Sequence, residues 1–295
     1  MRLRPALGLL LGVSLILGSL AAPAAAGSRK DKINVFPGKG ALQRGLDRAG
    51  PGDVIRVHRG RYGGPVVIDE PITVKGVGGR VVIDGKCQTQ TVVEVQSDDV
   101  TLRGITVQGA HAESGASSIE VNVAFVGGFR AREMVFRNTC DALYGLNLYQ
   151  TGTGVVITDS VGHGFSDTAF YVGDIHQGSV IVQNNKSSNN LYGYIVENSD
   201  PGTVTVTGNQ ATANRTGDLP SGIFVHNSDG AVITDNVIRD SGTYGIHVDA
   251  TSEANQILNN IISGSGALDG LDEGTGNCWN GTVTGTRQPD PLPTC

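Results

Sequence analysis

The chain has 295 residues and a formal net charge of −6, with 43 glycines and only 5% aromatic residues. Abundant glycine and sparse helix formers are typical of many short strands joined by tight turns. From Cys140 onward there are four Lys and Arg against sixteen Asp and Glu. This acidic half argues against nucleic-acid binding, which needs clustered basic residues.

Residues 1–26 have the pattern of a secretory signal peptide. Arg2 and Arg4 precede an apolar core, and small residues then continue to Ala26. This order predicts cleavage after Ala26, and the core is too short for a membrane anchor. Since no other segment is apolar enough to span a bilayer, the sequence predicts a secreted or periplasmic protein without a membrane span.

Residues 27–52 are predicted to form an N-terminal cap. Four apolar residues recur on one face of a short helix: Ala41, Leu42, Leu46 and Ala49. The helix would end at the Gly-Pro-Gly of residues 50–52. We expect it to cover the apolar end of the first coil, because terminal repeats need such protection.

Residues 53–268 contain a repeat of about 24 residues. One strand-like motif occurs five times: "YGLNL" at Tyr144, "TAFYV" at Thr168, "YGYIV" at Tyr192, "SGIFV" at Ser221 and "YGIHV" at Tyr244. Each unit holds two or three alternating strands and no helical period. One unit could not bury its apolar face, but stacked units could. The sequence therefore predicts an all-β fold, a single-stranded parallel β-helix of eight or nine coils.

Asparagine recurs at one position of a second motif that runs in step with the first. Asn185, Asn209, Asn236 and Asn260 occupy it in four consecutive coils, with Ser160 one coil earlier. Stacked asparagines can satisfy one another and the turn backbone by hydrogen bonds. We predict a buried structural ladder.

Residues 269–295 lose the repeat and are predicted to form a C-terminal cap. Cys278 and Cys295 are close enough in sequence to form a disulfide within it. Cys87 and Cys140 lie at similar corners two coils apart, about 10 Å, which exceeds the usual spacing of bridged Cα atoms. Cys87 and Cys140 can therefore form a disulfide only if their loops lean together, and the sequence leaves this pairing undecided.

The sequence resembles the exported right-handed parallel β-helix repeat proteins of bacteria. The resemblance rests on "PGDVIRVHRGRYGGPVVIDEPITVKGVGG" and on coils of the "YGIHV…NQILNNIISGSG" type, over roughly residues 33–268. These proteins belong to the pectate-lyase-like superfamily and include periplasmic proteins of nitrous oxide reductase maturation. The resemblance implies right-handed coiling, but no particular chemistry, because many members have no known activity.

The alternation of the "YGIHV"-type strands predicts which side chains face solvent. The outward stripe comprises Asn147, Tyr171, Ile195, Phe224 and His247, and the adjoining strand ends carry Tyr149, Glu197, His226 and Asp249, with Asp174 one position further. Rings can stack on sugars, whereas carboxylates and imidazoles can bind hydroxyls or move protons. The alternative is an ordinary solvated surface.

These residues divide into three candidate roles. Substrate contact is predicted for Tyr149, Tyr171, Phe224 and His247; acid–base catalysis for Glu197, His226 and Asp249; and calcium binding for Asp174, Glu197 and Asp249. The carboxylates supply the oxygen ligands that Ca²⁺ prefers. No other cofactor signature is present.

Three function classes follow. The first is a polysaccharide lyase or glycoside hydrolase, the second a noncatalytic surface or matrix protein that binds glycan or another protein, and the third a periplasmic maturation factor. A Gly-His-Gly motif at His163 matches one element of polygalacturonase-like hydrolases, but their paired aspartates and Arg-Ile-Lys element are absent downstream. By itself this motif is more often a turn than a site. The sequence leaves both the glycan and the oligomeric state open.

Overall fold

The computed structural model describes residues 31–113, 116–215, 217–282 and 284–295. The predicted signal peptide lies outside these residues. Within the described ranges, no helix is long and apolar enough to cross a membrane.

The chain winds into a parallel β-helix with three faces. Face 1 and face 2 belong to one 18-stranded sheet that bends at a corner, and face 3 is a separate 10-stranded sheet. Every pairing between strands is parallel, for example Leu146 with Phe170 and Phe170 with Tyr194 on face 3. The predicted right-handed parallel β-helix is confirmed, with ten strands on face 3 rather than the eight or nine coils expected.

The strands of each face follow the repeat. Lys32–Val35 lies on face 1, and two further early strands run along both face 1 and face 2: Val54–Gly63 and Thr73–Thr89. Face 1 continues with Thr101–Arg103, Arg130–Arg132, Val155–Thr158, Val180–Gln183, Val204–Thr207, Val232–Thr234, Gln256–Leu258 and Cys278–Asn280. Face 2 continues with Thr106–Ala110, Val135–Arg137, Val161–His163, Lys186–Ser188, Gln210–Thr212, Val237–Arg239 and Ile261–Ser263.

Face 3 carries the "YGIHV"-type strands. Its members are Val66–Ile68, Thr91–Val95, Ile119–Ala124, Tyr144–Tyr149, Thr168–Gly173, Tyr192–Glu197, Ser221–His226, Tyr244–Val248, Leu268–Asp272 and Arg287–Gln288. The last two strands show that the parallel pairing continues past the boundary predicted at residue 268.

The core is a stack of apolar side chains along the axis. Ten side chains of face 3 point inward and are at most 2% exposed: Leu146, Phe170, Tyr194, Ile223 and Ile246, and Leu148, Val172, Val196, Val225 and Val248. Each fully buried side chain of this size contributes about 1.5–3 kcal/mol of apolar burial. Inward burial therefore fixes the register, because a slip by one residue would turn the whole set outward.

The asparagine ladder lies at the inner corner between face 1 and face 2. Asn236 Oδ1 accepts hydrogen bonds from the backbone N–H (2.9 Å) and side-chain amide (3.0 Å) of Asn209. Asn236 in turn donates to Asn260 Oδ1 and to the Val206 carbonyl. The same pattern joins Asn185 to Asn209. The predicted structural ladder is confirmed.

A six-residue helix, Ala41–Leu46, lies within the segment predicted as the N-terminal cap. Leu42 and Leu46 are buried in the core cluster, and Ala49 packs against it from a partly buried position. The helix is thus where the apolar spacing placed it, while its capping role stays a prediction.

Both pairs of cysteines form disulfides. Cys278 bonds Cys295, as predicted. Cys87 bonds Cys140 with their Cα atoms 5.8 Å apart, which resolves the pairing that the sequence left open. In the strand Thr73–Thr89, the residues between Asp84 and Thr89 bulge out of the parallel pairing. This bulge brings Cys87 within reach of a corner two coils away.

Candidate functional site

The outward stripe predicted on face 3 is confirmed in its register. Asn147 pairs with Tyr171, Tyr171 with Ile195, Ile195 with Phe224, and Phe224 with His247. Successive coils are about 4.8 Å apart, so the stripe follows the long axis.

Six rings on face 3 form what we call the ring ribbon. Its members are Tyr144, Tyr171, Tyr192, Phe224, Tyr244 and His247. Ring centroids are 5.4 Å apart for Tyr144 and Tyr171, 5.2 Å for Tyr192 and Phe224, and 4.8 Å for both contacts of His247, with Phe224 and Tyr244. Sequence reasoning missed Tyr144, Tyr192 and Tyr244, although their recurrence at the start of the repeat was the available signal.

The stripe is less exposed than its alternation suggested. Ile195 is only 6% exposed and His247 only 9%. His247 is held between two rings, and its Nε2 lies 3.0 Å from Glu273 Oε2. Little of the His247 ring is left to contact a sugar, whereas Tyr144, Tyr171, Tyr192 and Phe224 are partly exposed.

The three predicted catalytic residues lie together at the edge of the ribbon. Glu197 pairs with His226 in the face 3 register. His226 Nδ1 shares a hydrogen bond with Asp249 Oδ2, and His226 Nε2 lies 4.0 Å from Glu197 Oε1. The His226 ring also stacks on Phe224 at 5.5 Å. The imidazole is thus oriented by one carboxylate and faces a second.

Asp249 is the anchoring carboxylate of this row. Its side chain is 15% exposed, and it accepts hydrogen bonds from Thr251 Oγ1, Ser252 Oγ and the Asn227 N–H. Burial raises the pKa of Asp249, but the bonds from Ser252, His226 and Thr251 outweigh burial and leave its pKa below the ordinary value. Asp249 therefore stays ionised and fixes the ring of His226.

Asp174 belongs to a different row. It accepts hydrogen bonds from the side chains of Asn198 and Gln150, and a hydrogen bond to it raises the pKa of Tyr149. Burial opposes ionisation of Asp174, yet the bonds from Tyr149, Asn198 and Gln150 leave its pKa lowered. In the described chain, no group of three His, Cys, Asp or Glu side chains is placed to hold a metal ion, so the geometry gives the calcium prediction no support.

Two tyrosines of the ribbon interact with carboxyl groups, and the carboxyl group of Asp167 was not predicted as part of the site. Burial raises the pKa of Tyr171, and the charge of Glu197 and a hydrogen bond to it raise this pKa further. The pKa of Asp167 is raised to about 6 by burial and by the nearby charge of Glu197, although the interaction with Tyr144 lowers it. Asp167 was missed because it lies in the turn before its strand, outside the alternation.

The arrangement combines ring surface with titratable carboxyl groups. Asp167 is protonated near pH 6 or below, whereas Asp249 is ionised. Carboxyl groups whose pKa values are driven apart can divide acid and base roles. The surface is an open band along the rod, which suits an extended polymer better than a small molecule.

The fold defines the protein as a parallel β-helix protein, and several solved structures resemble it. The structure resembles pectate lyase Pel9A with a TM-score of 0.63 and 14% identity, covering 91% of this chain and 82% of that one. It resembles an alginate lyase from Paenibacillus sp. str. FPU-7 (TM-score 0.57, 15% identity, 88% and 96% covered). It also resembles a pectin methylesterase from Aspergillus niger (TM-score 0.53, 13% identity, 90% of each chain covered).

Residues 69–288 match the family described as "Periplasmic copper-binding protein (NosD)". The chain belongs to this family, which confirms the predicted resemblance to periplasmic β-helix proteins. No curated protein sequence matches the chain. The structural likenesses, at 13–15% identity, establish the fold.

Proposed function

We propose that the protein is an extracytoplasmic β-helix that binds an extended polysaccharide along the ring ribbon and acts on it through Glu197, His226 and Asp249. The observation that carries the proposal is that partly exposed rings and an oriented imidazole share one band of face 3. This band spans five coils, from Tyr144 to Tyr244, or roughly 19 Å. Rings offer stacking surface for the C–H faces of successive sugars.

His226 is the proposed proton carrier. Asp249 accepts the Nδ1 hydrogen bond, which leaves Nε2 directed towards Glu197 and the partly open surface. An imidazole so oriented can take a proton from a sugar hydroxyl or carbon, or return one to a leaving oxygen. Glu197 lies beside it and can share that proton or bind a hydroxyl.

The names of the similar structures support the same substrate class. Pectate, alginate and pectin are polysaccharides rich in uronic acids, and the proteins named for them share this fold. The periplasmic description of the family agrees with an exported glycan-binding protein.

The copper named in the family's description is not supported by the residues described here. All four cysteines are in disulfides, Met134 is buried at 1% exposure, and the described chain has no group of three suitable ligands. We therefore derive no step through copper.

The test is a panel of neutral and uronic-acid polysaccharides, scored for binding, for new reducing ends and for the absorbance of unsaturated products, with and without Ca²⁺. We expect Glu197→Gln to abolish product formation while binding persists, and Tyr171→Ala to weaken binding about tenfold or more. Asp200→Asn is the matched control, because Asp200 forms a similar partly exposed pair with His176, 3.2 Å away, on the turn beyond face 3.

Product formation with Glu197→Gln equal to that of the wild type would contradict the catalytic assignment. Binding without any product would favour the noncatalytic alternative, and no binding to any polysaccharide would reject the proposal.

A further inference from the structure

A column of four basic side chains lies on face 1 in the first half of the β-helix, away from the ring ribbon. Arg56 pairs with Lys75, Lys75 with Arg103, and Arg103 with Arg132. We call Arg56, Lys75, Arg103 and Arg132 the basic column. Neutral residues flank it, with Asn34 before Arg56 and Thr158 after Arg132.

This arrangement is electrostatically unfavourable in the protein by itself. Like charges directly opposite on neighbouring strands destabilise a sheet. Here four cations stand on four consecutive strands, each strand about 4.8 Å from the next. Glu133 and Asp159 offset the charge only at the far end, by ion pairs to Arg103 and Arg132. Among the described residues, Arg56 and Lys75 have no ion-pair partner. An anionic ligand would relieve this repulsion.

One side chain of the protein already shows how a carboxylate binds this column. Arg103 Nε and Nη2 donate to the two carboxylate oxygens of Glu133, each at 3.0 Å. This two-point contact is the strong form of the arginine–carboxylate interaction. The bond from Arg103 is the main reason that the pKa of Glu133 is lowered. The guanidinium is therefore oriented to receive a carboxylate from solvent if Glu133 moves aside.

We propose that the basic column is a second binding site, distinct from the ring ribbon, for an acidic polysaccharide that presents a carboxylate on successive sugars. One cation per coil gives a spacing comparable to the length of one sugar unit, so a linear chain along the axis can meet several cations at once. Arg56 and Arg132 are exposed, and Lys75 and Arg103 are partly exposed, so the column is open to such a chain. Beyond Thr158 the same position carries Gln183, Thr207 and Thr234, which confines the site to the first half.

The test measures affinity for polygalacturonate and, as the uncharged reference, dextran. We expect polygalacturonate to bind the wild-type protein and to lose affinity steeply between about 50 and 200 mM salt, because counterions are released. The double variant Arg56→Gln/Lys75→Gln should bind about tenfold more weakly or worse. The matched control is Arg137→Gln/Arg239→Gln, which removes two exposed cations from face 2.

A third variant should move affinity in the opposite direction. Glu133→Gln frees Arg103 from its internal carboxylate, so it should bind polygalacturonate several-fold more tightly. A role of Glu133 in folding alone would not produce tighter binding.

Several outcomes would overturn the proposal. One is equal affinity of the wild-type protein for dextran and polygalacturonate. Another is an equal loss of affinity for polygalacturonate in the face 1 and face 2 double variants. A third is unchanged or weaker binding of polygalacturonate by Glu133→Gln. Double-stranded DNA that competes as well as polygalacturonate would also reject it, because the site would then recognise charge alone. Loss of binding in Tyr171→Ala with no loss in the face 1 double variant would assign polygalacturonate to the ring ribbon instead.

Discussion

The two halves of the solenoid fill the same inner corner in different ways. Between face 1 and face 2, the first half places Ile105 and Met134 at this position, each 1% exposed. The second half places Asn209 and Asn236 there, each hydrogen-bonded to the next coil. An apolar side chain at this corner has only to fill the available space. An asparagine at the same corner also needs a hydrogen-bonding partner at the equivalent position of the next coil. The ladder therefore specifies the stacking of the second half, and the first half depends on packing and on a disulfide.

The largest expected effect concerns that disulfide. Cys87 and Cys140 are 53 residues apart, and Cys278 and Cys295 are 17 apart. Since the stabilisation grows with the loop that is closed, removing the first should cost about 4 kcal/mol and removing the second about 3 kcal/mol. Denaturant unfolding of Cys87→Ser/Cys140→Ser and Cys278→Ser/Cys295→Ser measures both. A larger loss in the C-terminal pair would show that the first half does not rely on its crosslink.

The corner itself provides the next prediction. Asn236→Leu removes the acceptor for the Asn209 N–H and the donor to the Val206 carbonyl. Buried groups left without partners cost about 1–3 kcal/mol each, so we expect a loss of about 3 kcal/mol or more. Met134→Leu is the matched control at the equivalent position of the first half, and it should cost less than about 1.5 kcal/mol. If both variants lose the same free energy of unfolding, the hydrogen bonds of the asparagine ladder contribute no more stability than the filling of space at this corner.

The same contrast explains how much of the fold could be predicted from the sequence. The repeated motifs gave the register of face 3, because inward and outward side chains alternate along each strand. The ladder was evident because asparagine is a rare choice for a buried position and recurs with the coil. Ile105 and Met134 occupy the equivalent corner, but they are apolar residues among many others, so no pattern marked them.

The candidate site was predicted only where it follows the alternation. Glu197, His226 and Asp249 recur at one strand position, and stacking brings them together. Asp167 precedes its strand, and its contact with Tyr144 depends on how a turn folds back, which strand periodicity does not describe. The pairing of Cys87 with Cys140 could not be decided from the sequence for the same reason, because it depends on residues that bulge out of the strand pairing.

Glu120 allows a pH test in the first half. It is fully buried, with one oxygen unpartnered and the other accepting from the Ala110 N–H. Burial raises its pKa from 4.5 to about 8. The folded state thus favours the protonated form, so this contribution is complete below about pH 4.5 and is lost as the pH rises towards 8. We expect the melting temperature of Glu120→Gln to decline less than that of the wild type between pH 5 and pH 9. Parallel curves would contradict the raised pKa.

Asp167 provides the smaller counterpart in the second half. Burial, assisted by the charge of Glu197, raises its pKa from 3.8 to about 6, although the bond from Tyr144 opposes the rise. Its protonated form is therefore favoured on folding, and the corresponding stability is complete below about pH 4 and lost as the pH rises through 6. Asp167→Asn should therefore reduce the fall in melting temperature over the window between about pH 4 and pH 6. The reduction should be smaller than the one that Glu120→Gln produces between pH 5 and pH 9. Glu197→Gln should move the wild-type window to lower pH, because it removes the neighbouring charge that raises the pKa of Asp167. If Glu197→Gln leaves the window in place, the two carboxyl groups are not coupled, and Asp167 has no part in the chemistry proposed for Glu197.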